Sequence, residues 1–219
     1  VALVGFGLNL FLIPFLVRRF GFDLKDAAIT FALTFSAATA LGGVVGGMLA
    51  DRFAAHRHKR YGLLPMATSA LALPLFLAAI DQDDWRLMAV LLFAATFCLY
   101  AFLPTIMTVT QRLVEPRMRA TAAAIHAFGQ TVFGLGLGSV FLGWMSDQLA
   151  RSHYGKGYAA KCLSRHAGAP SAECAAASGN GLQQALMLLS LFLVLAVASY
   201  WVASRHIENE IALREGRPK

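Results

Sequence analysis

Charge is what this chain lacks. Of its 219 residues, 14% are Asp, Glu, Lys or Arg and 58% are hydrophobic, whereas a soluble domain usually carries roughly a quarter charged residues. The shortage is regional, since residues 62–80 and 181–204 hold no charged side chain at all. A run of about twenty such residues is what a hydrocarbon layer roughly 30 Å thick requires of a helix rising about 1.5 Å per residue. Other absences narrow the reading further. The sequence contains no His-Glu-x-x-His, no Gly-x-Ser-x-Gly and no Cys/His cluster with ligand spacing, so neither an intramembrane enzyme nor a metal or cofactor is expected. His56 and His58 alternate with charge in a basic stretch and read as solvated residues. No apolar run alternates as a barrel strand would. The chain opens on Val1 in an apolar run rather than on a methionine, and that run has neither the basic leader nor the cleavage-type end of a signal peptide. The expectation is a chain truncated at its start.

What is there are six apolar segments, at 1–17, 28–50, 61–80, 87–111, 120–146 and 182–204. In lipid only a helix satisfies its own backbone within one segment. The predicted fold class is therefore an all-α membrane protein, a bundle of six transmembrane helices, with a long outer loop at 147–181 and a tail at 205–219. The net charge of +7 could suggest nucleic acid. Its basic residues instead sit in short clusters between spans, without interleaved aromatics, and no nucleic-acid partner is expected.

Lys and Arg near span ends set the orientation. Arg52, Arg57, Lys59, Arg60, Arg112, Arg117, Arg119, Arg205, Arg214, Arg217 and Lys219 fall on one side, and the other side has eight, four of them spread thinly over the long loop. The first side is predicted to be cytoplasmic, with both chain ends on it. The acidic turn Asp81-Gln82-Asp83-Asp84 fits the outside. Cys162 and Cys174 share the outer loop while Cys98 lies in a span. On an oxidising face the loop pair could form a disulfide or remain two free thiols.

Pro14, Pro74 and Pro104 fall inside spans, as bending points or simply as the prolines that membrane helices tolerate. Gly42 and Gly46, with Gly43 and Gly47, repeat at a spacing of four, and Gly134, Gly136 and Gly138 cluster in the fifth span. Small residues at such spacing let helix backbones approach closely, since packing joins helices in lipid.

The most specific local feature is Gly47-Met48-Leu49-Ala50-Asp51-Arg52-Phe53, followed by the basic run Arg57-His58-Lys59-Arg60. A carboxylate at the membrane edge can face the positive N-terminus of a neighbouring helix, while arginines suit helix C-termini and an anionic leaflet. This is a latch or an ordinary hydrophilic turn. The pattern Gly47-x-Leu49-x-Asp51-Arg52-Phe53 resembles the loop signature of the major facilitator superfamily, with Ala54 where the family often has glycine and a lengthened turn before Arg57. Pro116-Arg117-Met118-Arg119-Ala120-Thr121-Ala122 is similar to the family's short cytoplasmic turn into its eleventh helix. The resemblance covers nearly the whole chain and assigns its spans to helices seven to twelve, the C-terminal half of a twelve-helix fold, with an N-terminal six-helix bundle as the missing partner. Ala50-Asp51-Arg52, Arg119-Ala120-Thr121-Ala122, the glycine run from Gly134 and Gly143-Trp144-Met145-Ser146-Asp147 look like bacterial spinster-type members. That relation implies a multi-pass protein of the bacterial inner membrane that exports or exchanges small amphipathic or lipid-like solutes, lysolipids among them.

Gly143-x-x-x-Asp147 mirrors Gly47-x-x-x-Asp51 at the opposite membrane face, which would suit reciprocal latches in alternating access. Polar residues place the third and sixth spans as outer supports. Asn9, Thr34, Tyr100, Thr105, Thr108, His126 and Gln130, on the first, second, fourth and fifth spans, are the expected cavity residues. His126 and Gln130 lie one turn apart on one helical face. An intramembrane ionisable group is a functional candidate by default, and the alternative for His126 is a neutral imidazole bonded between helices. Two other readings remain open: a major facilitator transporter of a polar organic anion or drug-like solute, and a noncatalytic membrane scaffold or receptor module.

Overall fold

The computed structural model describes residues 1–54, 60–155, 158, 162 and 172–214. Arg57 lies outside them. Nine α-helices are described, several joined end to end: α1 (Ala2–Phe20), α2 (Leu24–Phe31), α3 (Ala37–Ala54), α4 (Arg60–Asp81), α5 (Trp85–Tyr100), α6 (Leu103–Leu113), α7 (Arg119–Gly129), α8 (Gly138–Tyr154) and α9 (Ala172–Arg214). A π-helical stretch, Ala32–Ser36, joins α2 to α3, and a second, Gln130–Leu137, joins α7 to α8. A 3-10 turn at Pro116–Met118 leads into α7. Together they make six helices long and apolar enough to cross a membrane: Ala2–Phe20, Leu24–Arg52, Leu63–Asp81, Trp85–Gln111, Pro116–Tyr154 and Glu173–Arg205. No strand occurs among the described residues.

Several helices run past the predicted span bounds. The second span starts at Leu24, the loop expected at 147–181 is helical to Tyr154 and again from Ala172, and the tail expected from 205 is helical to Arg214. The bilayer limits the apolar run and not the helix, so residues that keep a helical backbone extend it into water. The 43 residues of α9 amount to roughly 65 Å at about 1.5 Å per residue, twice the hydrocarbon thickness. The fourth span, predicted as one helix over 87–111, is broken at Ala101–Phe102. Pro104 has no N–H to give the Tyr100 carbonyl, and its ring disfavours a continuous turn. Pro14 and Pro74 are accommodated within α1 and α4 without a break.

The core follows from spacing. Leu8, Leu12 and Phe15 on α1, Ala72, Phe76 and Ala79 on α4, Leu92, Ala95 and Leu99 on α5, and Leu182, Leu186, Leu189 and Leu193 on α9 are buried. Steps of three and four put each set on one helical face. α9 runs along α4, α8 and α1, while α4 and α5 pack as a hairpin. α3 lies on α5 because Gly42 and Gly46 face the backbone carbonyls of Phe97 and Ala101 so closely that no Cβ would fit. The neighbouring pair differs, for a Cβ on Gly43 would meet nothing within 4 Å.

The bundle end at the turn between α4 and α5 is clasped. Arg19, near the end of α1, bonds Asp83 at 2.6 Å and Asn180 at 3.2 Å, and Gln183 Nε2 donates to the Ile80 carbonyl at 3.0 Å. Gly21 ends α1 in the left-handed region at φ 67°, which a glycine adopts at little cost. A disulfide joins Cys162 to Cys174.

Candidate functional site

The break in the fourth span opens a cleft. About 260 Å³ in size, it is lined by Val1, Ala2, Gly5 and Phe6 of the first span, Leu99, Tyr100, Phe102 and Leu103 around the break, and Gln130 of the fifth span. Two of these side chains are polar, Tyr100 and Gln130. Tyr100 closes one wall: its ring meets Phe35 edge to face at 5.8 Å, and its hydroxyl lies where a Cβ on Gly5 would stand only 3.1 Å away. Glycine at position 5 thus leaves room for the phenol. Gln130 begins the π-helical stretch, and its Nε2 lies 2.8 Å from Nε2 of His126. A π-helical turn inserts a residue into the helical register, and such turns recur at functional sites.

The structure brings Tyr100 and Gln130 into one cleft and His126 behind it. The other expected cavity residues do not join them. Thr34 is buried and donates to its own helix at the Thr30 carbonyl, 2.6 Å away, and Thr108 does the same toward Pro104 at 2.9 Å. Back-bonding of this kind satisfies a hydroxyl inside a helix and leaves little of it for a ligand. Thr105 is fully buried with an unpartnered Oγ1, as are Ser69 and Thr96. Asn9 is exposed on α1.

The edge residues sit at two ends of the bundle. A Cβ on Gly47 would stand 3.7 Å from the Pro104 ring, and Asp51, Arg52 and Arg119 are exposed. Among the described residues, no ion pair engages Asp51 or Arg52. Asp147, exposed near the end of α8, lines a separate cleft of about 440 Å³ with Arg18, Tyr158, Ser178 and the Cys162–Cys174 disulfide. Tyr158 is buried there beside Tyr154. Burial, and then the Asp147 carboxylate, push its phenol above the ordinary value, against a smaller opposite pull from Arg18 and Arg151.

Sequence reasoning missed Gly5, Phe102 and the clasp around Arg19. Gly5 and Phe102 belong to runs that read as filler. For Arg19 the signal was the acidic turn at Asp83, noted for its sidedness but not as an ion-pair partner.

The description "Major Facilitator Superfamily" belongs to the family model that matches residues 1–155. The chain belongs to the major facilitator superfamily. Over 151 residues this major facilitator chain is 34% identical to an MFS-type efflux pump of Mycolicibacterium smegmatis, a stretch that is 68% of this chain and 34% of the pump. Among solved structures it is similar to a bacterial homologue of the human lysosomal transporter Spinster. In the inward-facing, unoccupied conformation the TM-score is 0.84 at 30% identity, over 95% of this chain and 46% of that one. In the inward-facing, occupied conformation it is 0.80 at 30% identity, over 93% and 46%. The chain therefore spans about a third of the curated relative and under half of the solved ones.

Proposed function

We propose that this chain is the C-terminal half, helices seven to twelve, of a secondary active transporter that moves a small amphipathic or lipid-like solute by alternating access. The observation that carries this reading is the cleft at the fourth-span break. An apolar wall with two polar side chains, Tyr100 and Gln130, suits a ligand with one polar group and an oily remainder. The likeness to the Spinster homologue over 46% of its length supports the half-transporter assignment. Exposed apolar side chains on the second and fifth spans, including Val44, Met48, Phe128 and Val140, leave faces for a six-helix partner bundle. Asp51, Arg52 and Arg119 at one edge and Asp147 at the other take the role of latches between the halves, a role Arg57 shares by its position in the loop motif. The Lys and Arg bias supports a C-terminus on the cytoplasmic side of the membrane, and the bacterial relatives support an inner membrane.

A drug-like solute is the second reading, and the similarity to an efflux pump favours it. Proteoliposomes containing the full-length protein test both. Flux of a lysolipid or an amphipathic dye should fall at least about tenfold in Gln130→Leu and Tyr100→Leu, the effect of losing one good hydrogen bond to the transported species. Absence of flux across a broad lipid and solute panel would leave a membrane scaffold as the better account.

A further inference from the structure

We infer that a groove between the first, fifth and sixth spans seats one phospholipid of the surrounding bilayer, with an acyl chain in the groove and the phosphate held by Arg151. This site is separate from the cleft at the fourth-span break. The groove, of about 510 Å³, is lined by Leu3 of α1, by Leu137 at the end of the π-helical stretch, by Val140, Phe141 and Trp144 of α8, and by Phe192 of α9. No charged side chain lines it, and each of the six residues belongs to a helix long and apolar enough to cross a membrane. One wall is aromatic: the Phe141 ring meets Phe192 edge to face at 6.0 Å and lies 6.4 Å from that of Trp144.

Shape decides between an acyl chain and a helix as the occupant. From Leu137 to Trp144 α8 rises about 10 Å, so the mean section of the groove is about 50 Å². A helix about 10 Å across needs about 80 Å². It can lie over the rim, where Val140 is 71% exposed and belongs also to the face left for a partner bundle, but it does not enter. A polymethylene chain does. Hydrophobicity alone does not keep the chain there, because bulk lipid is equally apolar; the gain comes from close packing and from what holds the head group.

The head group follows from what α8 carries next. Trp144, Gln148 and Arg151 come at steps of four and three, so they continue the groove wall along one helical face. Gln148 and Arg151 are exposed. Arg151 stands two turns beyond Trp144, about 10 Å along the axis, a gap that the glycerol and ester groups of a lipid span. An indole and then an arginine is the order met on passing from acyl chain to head group. A guanidinium takes a phosphodiester through paired N–H bonds, and the Gln148 carboxamide adds a further donor. Among the described residues, no ion pair engages Arg151. Asp147, the nearest carboxylate in sequence, lines the cleft beside the disulfide instead, and Arg151 acts on Tyr158 there less than Asp147 does.

The test uses the full-length protein in lipid nanodiscs doped with a phosphatidylglycerol that carries a photoreactive diazirine in mid-chain. Crosslinks should concentrate at positions 137–144 and at Phe192, and exceed those at Leu195, which is 63% exposed on α9 outside the groove and reports bulk lipid. Unlabelled phosphatidylglycerol and phosphatidylethanolamine share the phosphodiester and should compete for the groove. Diacylglycerol lacks it and should compete about tenfold less well, the effect of losing a hydrogen-bonded ion contact. Arg151→Gln should erase most of that preference. Val140→Trp, which fills the groove from its exposed rim, should abolish groove labelling and leave Leu195 unchanged. Equal competition by diacylglycerol, or an unchanged preference for phosphate in Arg151→Gln, overturns the assignment of the head group and with it the inference. Groove labelling no stronger than that of Leu195, or undiminished in Val140→Trp, overturns it as well, leaving passing lipid or a covering partner bundle as the occupant of this face.

Discussion

The second and fifth spans differ from the other four. Within the most apolar window of each span, 22% of the second and 17% of the fifth is buried, against 28 to 39% of the others. These two also carry the π-helical stretches. The first, third, fourth and sixth spans bury regular leucine and phenylalanine faces against one another. The contrast teaches that one molecule holds two kinds of membrane helix. Four spans bury more of their surface against each other, while two leave more of theirs uncovered within this bundle. An irregular helix is tolerable where a face is not committed to close packing, and costly where it is.

A single span holds both kinds of surface, and that gives the largest expected effect. Gly46→Leu drives a side chain into the Ala101 backbone, which cannot retreat without moving the broken end of α5. The expected loss is about 3 kcal/mol or more, the upper range of overpacking, seen as a fall in thermal stability or in folded yield. Gly43→Leu meets open space, and its effect on this bundle should stay within about 0.5 kcal/mol. Equal losses at the two positions would break the comparison. A Gly43→Leu protein that is stable but inactive in flux would sharpen it, by placing a partner on that face.

The clasp around Arg19 provides a smaller effect. Arg19 is 26% exposed but Asp83 is 90% exposed, so water and salt screen most of the pair. Arg19→Ala should cost about 1 kcal/mol or less, part of it from the lost bond to Asn180. The loss should shrink as salt rises. A salt-independent loss of several kcal/mol would mean that Arg19 holds the four-span core together rather than trimming it.

The six spans were legible because bilayer thickness imposes length and composition on sequence directly. Gly42 and Gly46 were legible as a packing pair for the same reason, as small residues on one face have few other uses. His126 and Gln130 were legible as neighbours from their spacing, and Tyr100 from its polarity. Which threonines reach a cavity was not, because a hydroxyl such as Thr34 can turn back onto its own helix, and composition does not show rotamers. The π-helical stretches left no local signature either. They pack against α1 and α5, contacts that local sequence does not show. The fourth-span break was half legible: Pro104 marked the position, but its pairing with Gly5 to form a cleft is a long-range contact.

The smallest effect concerns the cleft beside the disulfide, where Tyr158 and Asp147 meet. Burial and the nearby carboxylate hold the phenol above its ordinary value of about 10. The folded protein therefore keeps this proton more tightly than the unfolded chain. Its contribution to stability is complete below about pH 10 and is lost as pH rises through the folded-state value. Phenolate absorbance, with Tyr158→Phe as the difference reference, should place Tyr158 above free tyrosine. Asp147→Asn should move it down but not back to the free value, because burial is the larger cause. Full restoration by that one substitution would mean that the carboxylate and not the packing controls the site. Asp147 would then hold its charge close to Tyr158 and the disulfide-bonded loop, and so be committed to this bundle, rather than free to latch onto a second one.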